Sequence, residues 1–452
     1  MRREIARLQL SIGDALAAIS RREWREAWAS PLYANSVYLM ARAVVGAALG
    51  LVFWIVVARL YPIGHLGLGS ALISAATLLA FVASLGLGFG LIRFLPGAGR
   101  DAGALINSAL AISGIIAVVI AIIFLAGVSL WSPALSFVRE NPIFALAFIA
   151  FIAAATLAAL VDEAFVGLRR AKFALAQDSL QCLLKVAVVA AMAGPFRIFG
   201  IFASWGLAGA IALALSLFLF LPRLLPGYRP VPSLRRQVSN EMVHFSFANY
   251  VSNGLWMAPS WILPILVVNL LGGEANAYFF VAWGMAGLLF AIPTATSMSL
   301  FAEGSYDEKF LGRDVRRSLG LIALLLAPAI VVMLVAGDKL LLLFGREYSS
   351  EGTRVLSVLA FSALPMAINL VYLGIARVRK RLRSIIVVAA TVAFTTLILS
   401  YLLVPRLGIL APAVGWLVSH GVVALVVVPT IWKDLRSEPT VAPALSAEHR
   451  PE

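Results

Sequence analysis

The chain has 452 residues, 62% hydrophobic and only 13% charged, with a formal net charge of +14. Soluble domains run about 45–50% apolar and about 25% charged, and no soluble fold hides so much apolar surface. A soluble enzyme, a disordered scaffold and a disulfide-rich secreted module are therefore excluded, and an integral membrane protein remains. The basic excess fits the concentration of Lys and Arg in cytoplasmic loops rather than a nucleic-acid partner. The single cysteine, Cys182, rules out an intramolecular disulfide and any cysteine-cluster metal site.

In chain order, residues 1–33 carry Arg2, Arg3, Arg7, Arg21, Arg22 and Arg25 and have no long apolar core, so no secretory signal peptide is visible. Ile5, Leu8, Ile12, Leu16 and Ile19 recur at steps of three or four, which predicts an amphipathic helix along the cytoplasmic lipid surface. A helix needs about 20 apolar residues to cross the hydrocarbon core. Twelve stretches satisfy this: 34–58, 66–92, 104–128, 143–167, 173–194, 199–222, 245–270, 276–302, 315–336, 353–376, 383–404 and 408–432. Continuous runs such as 115–127 lack the two-residue alternation of a barrel wall. The predicted fold is all-α and polytopic, and the polar, Pro/Ala-rich residues 437–452 read as a disordered tail.

Placing the N-terminus inside puts 27 Lys and Arg in cytoplasmic segments and 7 outside, with Arg42 and Lys185 inside spans. The alternation holds through every loop, which predicts a multi-pass protein of the cytoplasmic membrane with both termini cytoplasmic. A shift of 210 residues places VVARLY (56–61) on LVVNLL (266–271), Arg93 on Glu303, and Arg169 and Arg170 on Arg379 and Lys380. The spans thus divide six plus six, as parallel repeats about an axis along the membrane normal. The predicted bundles are 34–222 and 245–436, joined by a cytoplasmic linker at 223–244. Such an architecture puts a substrate path between the halves.

ARLYPIGHLGLGSA (58–71) and LGLGFGLIRFLP (85–96) resemble the opening of the polysaccharide transporter family. That family includes the Wzx-type O-antigen flippases of the multidrug/oligosaccharidyl-lipid/polysaccharide exporter superfamily. LLLLFGREYSSEGTRVLSVLAFSALP (340–365) resembles the family's loop into helix 10, and VPRLGILAPAVGWLVSH (404–420) its lead-in to helix 12. The resemblance spans most of the chain. It implies a twelve-helix transporter around a central cavity lined by cations. Its substrate would be a polyprenyl-diphosphate-linked oligosaccharide for O-antigen or exopolysaccharide biosynthesis, and a polysaccharide polymerase or glycosyltransferases would be partners. The rival readings are a cation-coupled multidrug antiporter of the same superfamily, which wants an acidic, apolar cavity, and a membrane-embedded glycan ligase or polymerase. The outside loops reach only about 15 residues, around 129–142 and 337–352, which leaves little room for a ligase site.

Ionisable groups inside spans are costly and mark candidate sites. Arg42, two turns into span 1, offers a bidentate fork for phosphate or snorkels to the interface. Arg93 ends span 2. Asp178, Gln181 and Lys185 share one face of span 5, facing a watery cavity or forming a self-neutralising cluster; Lys185 is the second candidate cation. Asp162 and Glu163 on span 4, with Asp178, are candidates for binding H⁺ or Na⁺, although pairing of the span-4 acids with Arg169 or Arg170 is the favoured expectation. On span 7, Asn249, Asn253 and Trp256, with Tyr250 beside them, suit sugar hydroxyls and rings, or interhelical packing. Pro259 and Pro264 favour a kink there. His420 in span 12 reads as a hydrogen-bonded packing residue ahead of a proton relay. No phosphate-loop motif and no Cys/His metal set occurs, so neither a nucleotide motor nor any cofactor is expected.

Overall fold

A computed structural model describes residues 31–193, 197–232, 240–306 and 311–436. The predicted amphipathic stretch and the C-terminal tail fall almost entirely outside these residues, as do residues 233–239 of the linker. Every regular element among the described residues is helical, because a chain in lipid must satisfy its own backbone groups within each segment. Among the described residues, twelve long helices correspond to the twelve predicted spans, the second span being completed by a further short helix. They are α1 Pro31–Leu60, α2 Ile63–Ser84, α3 Ala102–Trp131, α4 Pro142–Gly167, α5 Ala171–Met192 and α6 Arg197–Leu215, then α7 Asn240–Leu271, α8 Gly273–Tyr306, α9 Leu311–Leu341, α10 Arg346–Val378, α11 Leu382–Leu407 and α12 Ala411–Arg436. Only the one-turn 3₁₀ segment Gly408–Leu410 separates α11 from α12.

Packing repeats between the halves. In the first half α1 packs on α5, α5 on α6, α3 on α4, α4 on α6, and α2 on both α3 and α4. In the second half α7 packs on α11, α11 on α12, α9 on α10, α10 on α12, and α8 on both α9 and α10. Each of these contacts has its partner six helices on, so the two bundles are pseudo-symmetric, although the packing of α2 on α6 has no comparable counterpart between α8 and α12. The turns after α4 and α10 carry the same signature. Arg169 (φ 57°) and Lys380 (φ 54°) both adopt the left-handed conformation. The next amides, of Arg170 and Arg381, reach back five residues to the carbonyls of Phe165 and Ala376 at 2.9 and 2.8 Å, which is the Schellman closure. The turns therefore align at a shift of 211, one residue more than the charge pattern suggests.

The halves meet where α2 packs on α7 and α8. At the α1–α2 end the approach is close. A Cβ on Gly67 would lie 1.7 Å from the Gly273 carbonyl oxygen, and Asn276 Nδ2 donates to the Gly67 carbonyl at 2.7 Å. Arg59 at the close of α1 donates through Nε and Nη2 to the carbonyls of Leu343 and Leu342, at 2.9 and 2.7 Å. It thereby satisfies free carbonyls just past the end of α9.

The second predicted span, 66–92, is not one helix. It breaks at Leu85 (φ 49°) and Gly86 (φ 72°) and resumes as a short helix, Leu87–Phe94. Gly86 is required there twice over. Its φ favours glycine, and a Cβ would come 2.6 Å from Tyr250 Cβ on α7.

Candidate functional site

A cavity of about 450 Å³ lies between the first bundle and α7. α1 contributes Arg42; α4 contributes Asp162 and Glu163; α5 contributes Gln177, Asp178 and Gln181; α6 contributes Trp205; and α7 contributes Asn253 and Trp261. Phe81 of α2 and the turn at Gly86 complete the wall. Helical spacing brings the α5 groups here, since residues three and four apart share a face. Tyr250 stacks on Phe81 (centroids 4.7 Å apart, planes at 13°) and donates to the Val82 carbonyl at 3.2 Å, which seats α7 on α2.

Arg42 is the centre of the polar groups. Its Nε donates to Asp178 Oδ2 at 2.6 Å, and its Nη2 donates to Asp162 Oδ2. Asp162 is 6% exposed, and its second oxygen, Oδ1, has no partner among the described residues. Glu163 lies against the short helix, where a Cβ on Gly88 would come 3.0 Å from Glu163 Cγ. The lining therefore holds one guanidinium and three carboxylates, a formal excess of two negative charges when all are ionised. The expected pairing of Asp162 with Arg169 or Arg170 is not formed. Those arginines sit in the turn beyond α4, whereas Asp162 faces α1 and takes Arg42.

The other sequence candidates lie elsewhere. Lys185 sits seven residues past Asp178, roughly 10 Å farther along α5; its Nζ lies 5.1 Å from the Phe53 ring centroid, a cation–π contact with α1. Arg93 is exposed at the end of the short helix, its guanidinium 5.5 Å from the Phe94 ring centroid. Neither lines the cavity, and neither do Asn249 and Trp256. Trp256 instead meets the edge of His420 at 5.7 Å. His420 is fully buried, 4.3 Å from the Trp416 ring centroid, and Asn369 Nδ2 lies 3.0 Å from its Nδ1 and donates to its carbonyl at 3.0 Å. Pro259 and Pro264 lie inside α7, which stays one continuous helix from 240 to 271.

Sequence reasoning missed Gln177, Trp205 and Trp261. Gln177 is buried, donates to the Ala158 carbonyl at 3.1 Å and accepts from Ser216 at 2.6 Å. Trp261 stands eight residues from Asn253, close to the same helix face, a spacing that marks it out in retrospect. Trp205 has no comparable signal.

A second, apolar fissure of about 310 Å³ opens between α1 and α8. Gly46, Gly50, Gly284 and Gly287 line it, each with open space where a side chain would stand. Arg42, Gly46 and Gly50 follow one another at four-residue steps on α1, so the polar cavity and the fissure adjoin along one helix.

No protein-family model matches the sequence. A curated relative, "Probable flippase AglR" of Haloferax volcanii, is 26% identical over 210 residues; the match covers 44% of this chain and 44% of that protein's own length. Among solved structures, the lipid II flippase MurJ in an inward closed conformation is similar with TM-score 0.70 at 12% identity, covering 90% of this chain and 89% of that one. Inward-facing and outward-facing structures of a multidrug resistance MATE family transporter are similar with TM-score 0.60 at 15% identity; each covers 90% of this chain, and 99% and 96% respectively of the other. At these identities the likeness shows the fold alone, a helical membrane fold of two pseudo-symmetric bundles shared with these structures.

Proposed function

We propose that the chain is a flippase that carries a polyprenyl-diphosphate-linked oligosaccharide across the cytoplasmic membrane by alternating access, for cell-surface polysaccharide synthesis. The observation that carries this reading is the position of Arg42, at the joint between a polar cavity and an apolar fissure. A substrate with an anionic headgroup and a long branched hydrocarbon tail has that same division. Arg42 takes the diphosphate through its fork. Gln181, Asn253 and the two tryptophans offer amides and aromatic faces to the sugars. The tail stays in the fissure and the lipid beyond it. The resemblance at 58–71 and 85–96 and the named function of the curated relative support the same class.

Asp162 and Asp178 hold Arg42 in this state. For the diphosphate to take Arg42, at least one carboxylate must release it, and a proton or monovalent cation on the pair would do so. We therefore assign Asp162 and Asp178 to coupling, with Glu163 as a third acid on the same wall. Lys185, Arg93, Asn249 and Trp256 would reach substrate only in a state that rearranges the bundles. Both termini would be cytoplasmic.

The excess of carboxylates in the cavity favours a second reading, a cation-coupled multidrug antiporter. One experiment separates the two. Purified protein is reconstituted in vesicles carrying a fluorescent polyprenyl-diphosphate sugar, and leaflet transfer is read by quenching. In parallel, cells overexpressing the chain are tested for resistance to cationic drugs. Transfer by the native chain, lost in R42A, supports the flippase. Drug resistance without transfer replaces it with the antiporter.

A further inference from the structure

An open depression of about 840 Å³ lies where α3 begins and the strand of chain after α6 folds back. It shares no lining residue with the central cavity. By connectivity it is on the membrane face that carries Arg93, Arg169 and Arg170. Its charged lining residues are Arg100 and Arg229, both exposed, with no carboxylate among the residues that line it.

The depression is held in shape. Tyr228 is buried, and its phenol donates to Asn107 Oδ1 at 2.8 Å. Asn107 Nδ2 in turn donates to the Arg229 carbonyl at 2.7 Å. Gly103 lets the ring in, since a Cβ there would come 3.1 Å from Tyr228 Cδ2. Burial raises the Tyr228 phenol above its ordinary pKa, so it remains a neutral donor and the link holds across physiological pH. The backbone bearing Arg229 is thus pinned to α3. The floor is Ala102 to Ala104, where the 3₁₀ turn Gly99–Asp101 runs directly into α3 and the Ala102 amide donates to the Gly99 carbonyl; the exposed Asp101, between Arg100 and Ala102, is not among the lining residues. The rim is apolar; Val231 is 58% exposed among prolines 230 and 232, as suits a loop lying at the level of lipid headgroups.

Two guanidiniums on a braced frame, inside an apolar rim, form a receptor for a phosphate group. We propose that this depression binds phosphate at the membrane surface, and that its occupant is the headgroup of an anionic phospholipid. The site is independent of the substrate assigned to the central cavity.

The test uses the full chain, purified in detergent and titrated with phosphatidylglycerol or phosphatidylcholine in native mass spectrometry. Inorganic phosphate is titrated separately, with thermal stability as the readout. Phosphatidylglycerol should be retained in preference to phosphatidylcholine, and R100Q/R229Q should weaken that retention by about tenfold. The comparison variant is R379Q/R381Q, which removes two arginines from another basic depression, and it should leave retention unchanged. Y228F, which keeps both charges and loses the brace, should fall between. Stabilisation by inorganic phosphate, sensitive to R100Q/R229Q, without a phosphatidylglycerol preference keeps the phosphate site and makes its source soluble. Equal losses in the two arginine pairs would show diffuse surface charge and overturn the site, as would unchanged binding of both ligands in R100Q/R229Q.

Discussion

Arg42 holds two carboxylates of unequal burial: the Asp162 side chain is 9% exposed and that of Asp178 29%. Removing the cation therefore strands Asp162 far more than Asp178, because an uncompensated charge is costly in proportion to its loss of water. R42M should destabilise the chain by about 2 kcal/mol, and R42M/D162N should recover most of that loss, since the amide carries no charge to leave unpaired. Denaturant titration in mixed micelles reads both; equal destabilisation of the two variants would mean that the ion pair adds nothing beyond packing. Half of this site is legible in the sequence. A charged residue inside an apolar run is conspicuous, which picks out Arg42, Asp162, Glu163 and Asp178, and the three-residue step from Asp178 to Gln181 puts both on one face. The pairing is not legible. Asp162 and Asp178 stand 120 and 136 residues from Arg42, and only the packing of α1 on α5, with α4 beside α5, brings them together. Lys185 shares the helix face of Asp178 but sits two turns farther along, and a face alone does not report depth.

Among the elements, α1 is the one whose two roles can be pulled apart. Its Arg42 belongs to the polar cavity and its Gly46 and Gly50 to the apolar fissure. A side chain at Gly50 meets open space, so G50L fills the fissure without a clash and also removes the helix cost of glycine, about 1 kcal/mol. Stability should stay within about 0.5 kcal/mol of the native chain or rise, while transfer of a polyprenyl-linked sugar in vesicles falls by at least about tenfold. Unimpaired transfer in G50L would take the tail out of the fissure. The twelve helices themselves could be read from hydropathy, because each span must satisfy its own backbone and so signals itself locally. The break in α2 could not. Leu85 enters the left-handed region although its side chain disfavours it, and the bend is fixed by the contact of Gly86 with Tyr250 on another helix, which no local pattern encodes. The same holds for the one-residue difference between the charge repeat and the Schellman turns: charges mark a loop, whereas hydrogen bonds mark a residue.

At the scale of the whole molecule, each half repeats the packing of the other, and each is held together by more helix pairs than hold the two halves to one another. Motion of one bundle against the other is then the least costly large rearrangement. The seam between Gly67 on α2 and Gly273 on α8 is where such motion must begin at one end, because backbone there meets backbone with no side chain to yield. G67A tests this. The added methyl would lie 1.7 Å from a carbonyl oxygen, an overlap that rotamer changes cannot relieve, whereas the helical backbone of α2 accepts alanine readily. Overpacking costs about 1–3 kcal/mol, all of it charged to the state with the seam shut, so the population with the seam open should rise by about tenfold. Ser70, buried one turn away and accepting from Asn276 Nδ2 at 3.2 Å, reports the change. In a background with Cys182 replaced by alanine, S70C should react with a membrane-impermeant maleimide about tenfold faster when G67A is present. If the rate is unchanged while the protein is destabilised, the clash has been absorbed inside one bundle, and the seam is a fixed weld rather than the place where the halves part.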